Sequence, residues 1–179
     1  LRNLTILDDA LKLVQKKNPG FTLADIPEND KETYEMLTAG RTSGVFQLES
    51  SGITAVCTGL KPHSIEDLTA IIALYRPGPM DSIPRFLKCS AHPEEVTYKH
   101  PLLKPILEVT YGCIVYQEQV IDIFRKLAGF SLGQADMIRR AMSKKKFDVL
   151  ESERHNFIHG NESENIHGCI AVGMAQKDA

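Results

Sequence analysis

The chain has 179 residues, 42% hydrophobic and 25% charged, enough apolar material for one domain or one and a fraction with a real core, and too much for a disordered chain. Its 21 Lys and Arg against 23 Asp and Glu leave a formal charge of −2, so any affinity for a polyanion must come from a local patch. No apolar run approaches the roughly 20 residues that cross a bilayer, no signal-peptide pattern opens the chain, and Cys57, Cys89, Cys113 and Cys169 show no CxxC spacing, which together point to a cytoplasmic protein with reduced thiols and no membrane partner.

Thr5 to Lys17 places Leu7, Ala10, Leu11 and Val14 at helical spacing, and NPG at 18–20 ends that helix. FTLADIPEND reads as a loop whose Asp30 caps a short helix, KETYEMLTAG, closed by Gly40. VFQL at 45–48 is expected to be extended and to lead into a helix near Ser51 to Thr58. Ser64 opens a capping box, with Asp67 in the place usually taken by Glu or Gln, before the buried helix IEDLTAIIALY. RPGP at 76–79 breaks it, because both prolines remove donors and disfavour helical angles in the residue before.

Met80 to Cys89 suggests a short helix and SAHPEEVTYKHP an exposed connection; PLLKPILEV is helical in pattern. YGCIVY at 111–116 reads as a short strand. QEQVIDIFRKLAG puts Val120, Phe124 and Leu127 on one face, with Gly129 as C-cap. Ser131 caps the next helix, whose Ala135, Ile138 and Met142 are expected to face inward, and Phe147 to Ile158 makes one more. From Gly160 onward the periodicity dissolves, so 161–179 reads as an incomplete, poorly ordered tail. The whole is mainly α, a multi-helix chain with short extended segments. A start inside a hydrophobic pattern without an initiator methionine, and an uncapped end at QKDA, suggest a piece of a longer protein.

Chemistry concentrates in ADMIRRAMSKKK, where five basic residues and no acidic one lie between Met137 and Phe147. Arg139 and Arg140 flank the buried direction of their helix, and Lys144 follows Arg140 by one turn. The planar guanidinium fork suits phosphate, so an adjacent pair is apt for a triphosphate. The competing reading is a solvated helix face in which Asp136 pairs with Arg140. Lys144, Lys145 and Lys146 read either as a diffuse backbone contact to nucleic acid or as a solvated helix terminus favoured by the dipole. His155, His159, His167 and Cys169 are donor types that zinc accepts, but no HExxH pattern occurs and their connection is loose, which favours surface histidines. There is no GxSxG elbow and no Walker-type loop.

Four stretches occur in order: GVFQLESSG (44–52), ALYRPGPMDSIPRF (73–86), HPLLKPILEVTYGCIVYQEQV (100–120) and LAGFSLGQADMIRRAMSKKK (127–146). Together they resemble the fingers region of the bacterial replicative DNA polymerase III alpha subunit, a C-family polymerase, over nearly the whole chain to about Gly160. LRNLT at 1–5 looks like the end of the run that leaves the catalytic palm. The resemblance implies that 1–20 is the palm exit and 21–160 the fingers. It implies that Arg139 and Arg140 contact the phosphates of an incoming deoxynucleoside triphosphate, with Arg76, Tyr116, Gln117, Lys144 and Lys145 as possible neighbours of the active site. Tyr116 is the first choice for stacking on a base. The implied partners are primer–template DNA and, in the parent, other replicase subunits such as the sliding clamp. The implied cofactor is Mg²⁺, held by palm carboxylates that precede this chain; Asp8 and Asp9 do not match them, so no catalytic residue is expected within it and the isolated chain is expected to be inactive. The alternative is a non-catalytic helical module that binds nucleic acid or a protein through its basic edge.

Overall fold

The computed structural model describes residues 2–179; Leu1, the first residue of LRNLT, lies outside them. Among the described residues there are α-helices and 3₁₀ turns but no β-strand, and the one β-type pairing is an isolated bridge between Asn161 and Ile166. The mainly α reading is therefore what the chain adopts.

α1 (Arg2–Gln15) starts three residues before the expected Thr5 and buries nothing, leaving Leu4, Ile6, Leu7 and Leu13 exposed. α2 (Lys31–Thr38) begins where Asp30 Oδ1 accepts from the amides of Glu32 and Thr33. α3 (Ser51–Leu60) and α4 (Ile65–Leu74) follow, the latter capped by Ser64 Oγ accepting from Asp67 N. The Asp67 carboxylate reaches the amide of His63 rather than that of Ser64, so the expected box is shifted by one residue. These helices bury Leu37, Ile53, Val56, Cys57 and Ile71 in a first core. VFQL is not extended. Val45 N–H bonds to Thr42 and Leu48 N–H to Val45, two successive turns made possible by Gln47 at φ +64°.

Gly78, at φ +105°, turns the chain out of α4 into a 3₁₀ turn at Pro79–Ser82 and then α5 (Ile83–Ala91). Phe86 of α5 joins Ala70, Leu74, Cys113 and Val115 in a small second core, its ring edge-on to Tyr111 at 5.3 Å. α6 (Lys104–Leu107) is a single turn between two 3₁₀ turns. α7 (Gln117–Ala128), α8 (Leu132–Ser143) and α9 (Phe147–His159) pack in sequence around a third core that contains Leu107, Leu127, Phe130, Ala135 and Ile138. Ser131 Oγ accepts from Gln134 N, and Gln134 Oε1 accepts in return from Ser131 N, a complete capping box for α8.

YGCIVY is not a strand, for two reasons visible in its backbone. Tyr111 and Gly112 both take left-handed angles, φ +52° and +77°, which reverse the chain at once. The amides of Val115 and Tyr116 are then taken by one side chain: Gln119 Oε1 accepts from both, at 2.8 and 2.9 Å. Gln119 Nε2 donates to Ile106 O at 3.1 Å and to Thr110 Oγ1 at 2.7 Å, and that hydroxyl donates to Cys113 O at 2.6 Å. A buried primary amide thus ties α6, the 111–116 turn and the first turn of α7 together with its hydrogen-bonding capacity used. α7 stops at Gly129, φ +84°, where a Cβ would sit 2.4 Å from the ring of His167.

Two further expectations change. Met142 is 40% exposed, and Ala141 takes the inward position instead, because the buried line of α8 runs through 135, 138 and 141. The tail is not loose in this structure: Ile166, Cys169 and Met174 complete the third core, and Gly168 N donates to Ala128 O at 3.0 Å. Three buried side chains and a backbone bond suffice without helical periodicity.

Two outcomes follow from this packing. All four cysteines are free, and Cys57, Cys113 and Cys169 are buried. Burial raises the thiol pKa of each, that of Cys169 to about 12. A thiol-titrating reagent at neutral pH should therefore modify Cys89 in the native protein and the other three only on unfolding; rapid native labelling of Cys169 would contradict the packed tail. Replacing Gln119 by Leu should cost about 3 kcal/mol or more, since it strands several buried polar groups at about 1–3 kcal/mol each. Urea denaturation measures this, and a loss below about 1 kcal/mol would show that the amide is dispensable.

Candidate nucleotide-phosphate site

α8 carries the two arginines on neighbouring positions, and the buried line through Ala135, Ile138 and Ala141 turns both toward solvent. They are not equivalent. Arg139 is 21% exposed and its guanidinium is held at two points: Nε donates to Asp136 Oδ1 at 2.8 Å and Nη1 to Gln117 Oε1 at 2.8 Å. The second bond crosses from α8 to the first residue of α7, so the position of Arg139 depends on where α7 begins. Arg140 is 67% exposed, and Nη2 meets Asp136 Oδ2 at 2.7 Å. Asp136 therefore bridges both arginines, one carboxylate oxygen each.

This cluster retains cationic character, two guanidinium charges against one carboxylate. The Arg139 hydrogen bond, followed by the charges of both arginines, holds the Asp136 carboxyl below its ordinary range. A depressed pKa means that its stabilising contribution is present above the unfolded carboxylate range and is lost only in acid, so Asp136 is ionised throughout neutral pH. Arg139 keeps Nη2 and one Nη1 hydrogen unused by these bonds, and Arg140 keeps most of its fork. Such groups fit the oxygens of a phosphate chain.

The other anticipated residues distribute around this cluster. Gln117 is part of it. Tyr116 precedes it, and its half-buried ring packs on the second core with Leu74 and Phe86, which raises its hydroxyl pKa by desolvation. Arg76 is exposed in the turn after α4, where its carbonyl accepts from Met80 N. Tyr116 and Leu74 share one core, so the segments bearing Arg76 and Gln117 are anchored to the same small cluster. Lys144, Lys145 and Lys146 close α8 as a turn, with Lys145 at φ +52° and Lys146 N bonded to Ala141 O, so Lys144 ends the helix rather than extending the arginine edge.

Neither large cleft contains the arginines. One of about 570 Å³ lies between α8 and α9 and is lined by Met142, Phe147 and Phe157. The other, of about 890 Å³, lies between α5 and the third core and includes Arg85, Tyr98 and Met174. The zinc-type donors do not converge: His155 and His159 stack at 4.8 Å, His167 covers Gly129, and Cys169 is buried in the core. Among the described residues, His92, Glu94 and Glu95 do bring ligand-type atoms together, but all are exposed and Lys88 already occupies Glu95 at 3.0 Å. The pairing of Asp136 with Arg140 was legible from its i, i+4 spacing, and its bond to Arg139 has the equally regular i, i+3 spacing; the role of Gln117 as a brace was not legible, because a contact over 22 residues leaves no periodic trace.

The family model for the bacterial DNA polymerase III alpha subunit finger domain matches residues 3–165. The DNA polymerase III subunit alpha of Staphylococcus aureus is 48% identical over 173 residues, 96% of this chain and 16% of that protein. The corresponding subunit of Borreliella burgdorferi is 47% identical over 160 residues, 89% of this chain and 14% of that protein. This chain thus spans about a sixth of the length of the relatives it matches, and over that span it belongs to the finger-domain family of the bacterial DNA polymerase III alpha subunit.

Proposed function

We propose that this chain is the part of a replicative DNA polymerase that receives the incoming deoxynucleoside triphosphate, with Arg139 and Arg140 gripping its phosphates during template-directed transfer to a primer 3′ hydroxyl. One observation carries the reading: two guanidinium groups on one edge of α8, one of them braced from α7 by Gln117, each with donors to spare. Bracing reduces the freedom lost when a ligand binds, and the pair neutralises charge that a single lysine would meet only as a point.

In the same reading Lys144, Lys145 and Lys146 contribute a diffuse contact to the primer–template backbone, and Arg76 lies beside the nucleotide. Tyr116, whose half-buried ring packs on the second core, holds the start of α7 in place beside the site. The exposed apolar stripe of α1 is where the rest of the parent subunit, its palm above all, packs on the fingers. The Mg²⁺ ions of nucleotidyl transfer belong to carboxylates elsewhere in the parent. Asp8 and Asp9 lie exposed on α1, both against Lys12, and offer no converging donor set. The sliding clamp and other replicase subunits are partners of that parent, which acts in the cytoplasm.

The rival account is that the arginines serve only their ion pairs with Asp136, which are common helix-surface features worth roughly 0.2–0.5 kcal/mol each. Alanine at either arginine in the full-length parent separates the two. Loss of a charge-assisted contact worth roughly 1.5–3 kcal/mol should lower kcat/KM for nucleotide by about tenfold to hundredfold, with partial rescue by lysine. Arg139→Ala should also lower the melting temperature, since it removes the link between α7 and α8; Arg140→Ala should not. Normal nucleotide kinetics in both variants would leave only the ion-pair account.

A further inference from the structure

Asp136 is an acid in the middle of the one segment whose charge suits a polyanion, and its placement is specific. Both of its oxygens are engaged, each by a different arginine, at 2.8 and 2.7 Å. The side chain is only 27% exposed, and its partners hold it ionised at neutral pH. A phosphate group presents the same pair of features to a guanidinium, namely negative charge and paired oxygens. Arg140 is the more exposed arginine, and its guanidinium has no second side-chain tether among the described residues, whereas Arg139 has a second bond, to Gln117.

Resting on the phosphate-binding reading above, we propose that Asp136 is a positioning residue that acts as a resident counter-anion: it occupies the arginines between catalytic cycles, yields Arg140 to the triphosphate, and takes it back as pyrophosphate leaves. The exchange involves no covalent step. Its consequence is that nucleotide and pyrophosphate both compete with an internal carboxylate, so the site is held below its greatest possible affinity. Arg139, fixed by Gln117, keeps the geometry while Arg140 changes partner. Removing the charge at 136 while preserving an acceptor oxygen should therefore tighten binding of both anions.

The test uses the full-length parent polymerase with Asp136→Asn, in primer extension at fixed Mg²⁺, reading KM for dATP and inhibition by inorganic pyrophosphate. Both KM and the pyrophosphate inhibition constant should fall by about three- to tenfold, the scale of one partly screened charge a few ångströms away. Turnover should fall where pyrophosphate release limits it. Adding Arg140→Ala should abolish most of this gain, because the effect acts through that arginine. A purely supportive ion pair predicts the opposite sign, a raised KM with a lowered melting temperature. Asp136→Ser, which also lacks the charge, gives a second reading if the asparagine variant folds poorly. An unchanged or raised KM and inhibition constant, in a parent whose Arg139→Ala and Arg140→Ala variants are impaired, overturns the counter-anion alone. Unimpaired arginine variants overturn the phosphate site itself, and this inference with it.

Discussion

A primary amide buried to 5% exposure cannot be left unpaired, and that of Gln119 is satisfied by four groups drawn from three segments. Its oxygen takes the two amides that a strand at 111–116 would have offered to a neighbour. Its nitrogen reaches back to α6 and to Thr110, which passes the connection to Cys113. The start of α7 is fixed by this set of bonds rather than by helix propensity, and Gln117 is the first residue of that helix. Arg139 leans on Gln117 across the α7–α8 contact. A chain of direct contacts thus runs from a buried amide to the guanidinium nearest the proposed ligand.

The same logic explains why the patch is neither more basic nor simpler. Two adjacent guanidinium groups repel each other and, without a counter-charge, would sample many rotamers at considerable entropy. Asp136 one turn back on the same helix lowers that repulsion and gives each fork an orientation. A formal charge of −2 for the chain is then compatible with phosphate recognition, because the recognition is local and geometric. The lysines at the end of α8 lie on a turn and lack such constraints, which suits a backbone contact without sequence preference.

Local chemistry made much of the fold legible. Asp30, Ser64 and Ser131 start helices for the stated reason that a side-chain oxygen takes an orphan amide, and Gly129 ends one at a left-handed position. What failed was what depends on distant partners. VFQL and YGCIVY have the composition of strands, yet Gln47 and Tyr111 adopt positive φ and no neighbouring strand exists among the described residues. Met142 and Ala141 are equally placed by spacing, and only the packed structure distinguishes them, burying Ala141 and leaving Met142 exposed. Ile166, Cys169 and Met174 carry no period, so their burial against Leu127 and Ala128 shows only once the third core is assembled. At the site, the arginines stood out through charge and family wording and Asp136 through its helical spacing from them, whereas Gln117 as a brace, 22 residues away, needed three dimensions.

The central claim is that α8 presents Arg139 and Arg140 to a triphosphate from a corner set by Gln119 and Gln117. A structure of the parent subunit bound to primer–template and an incoming nucleotide tests it most directly. The account predicts phosphate oxygens within hydrogen-bonding distance of both guanidinium groups, Gln117 still accepting from Arg139, and Arg140 turned from Asp136 toward the ligand. A nucleotide bound elsewhere, with both arginines still closed on Asp136, would contradict it.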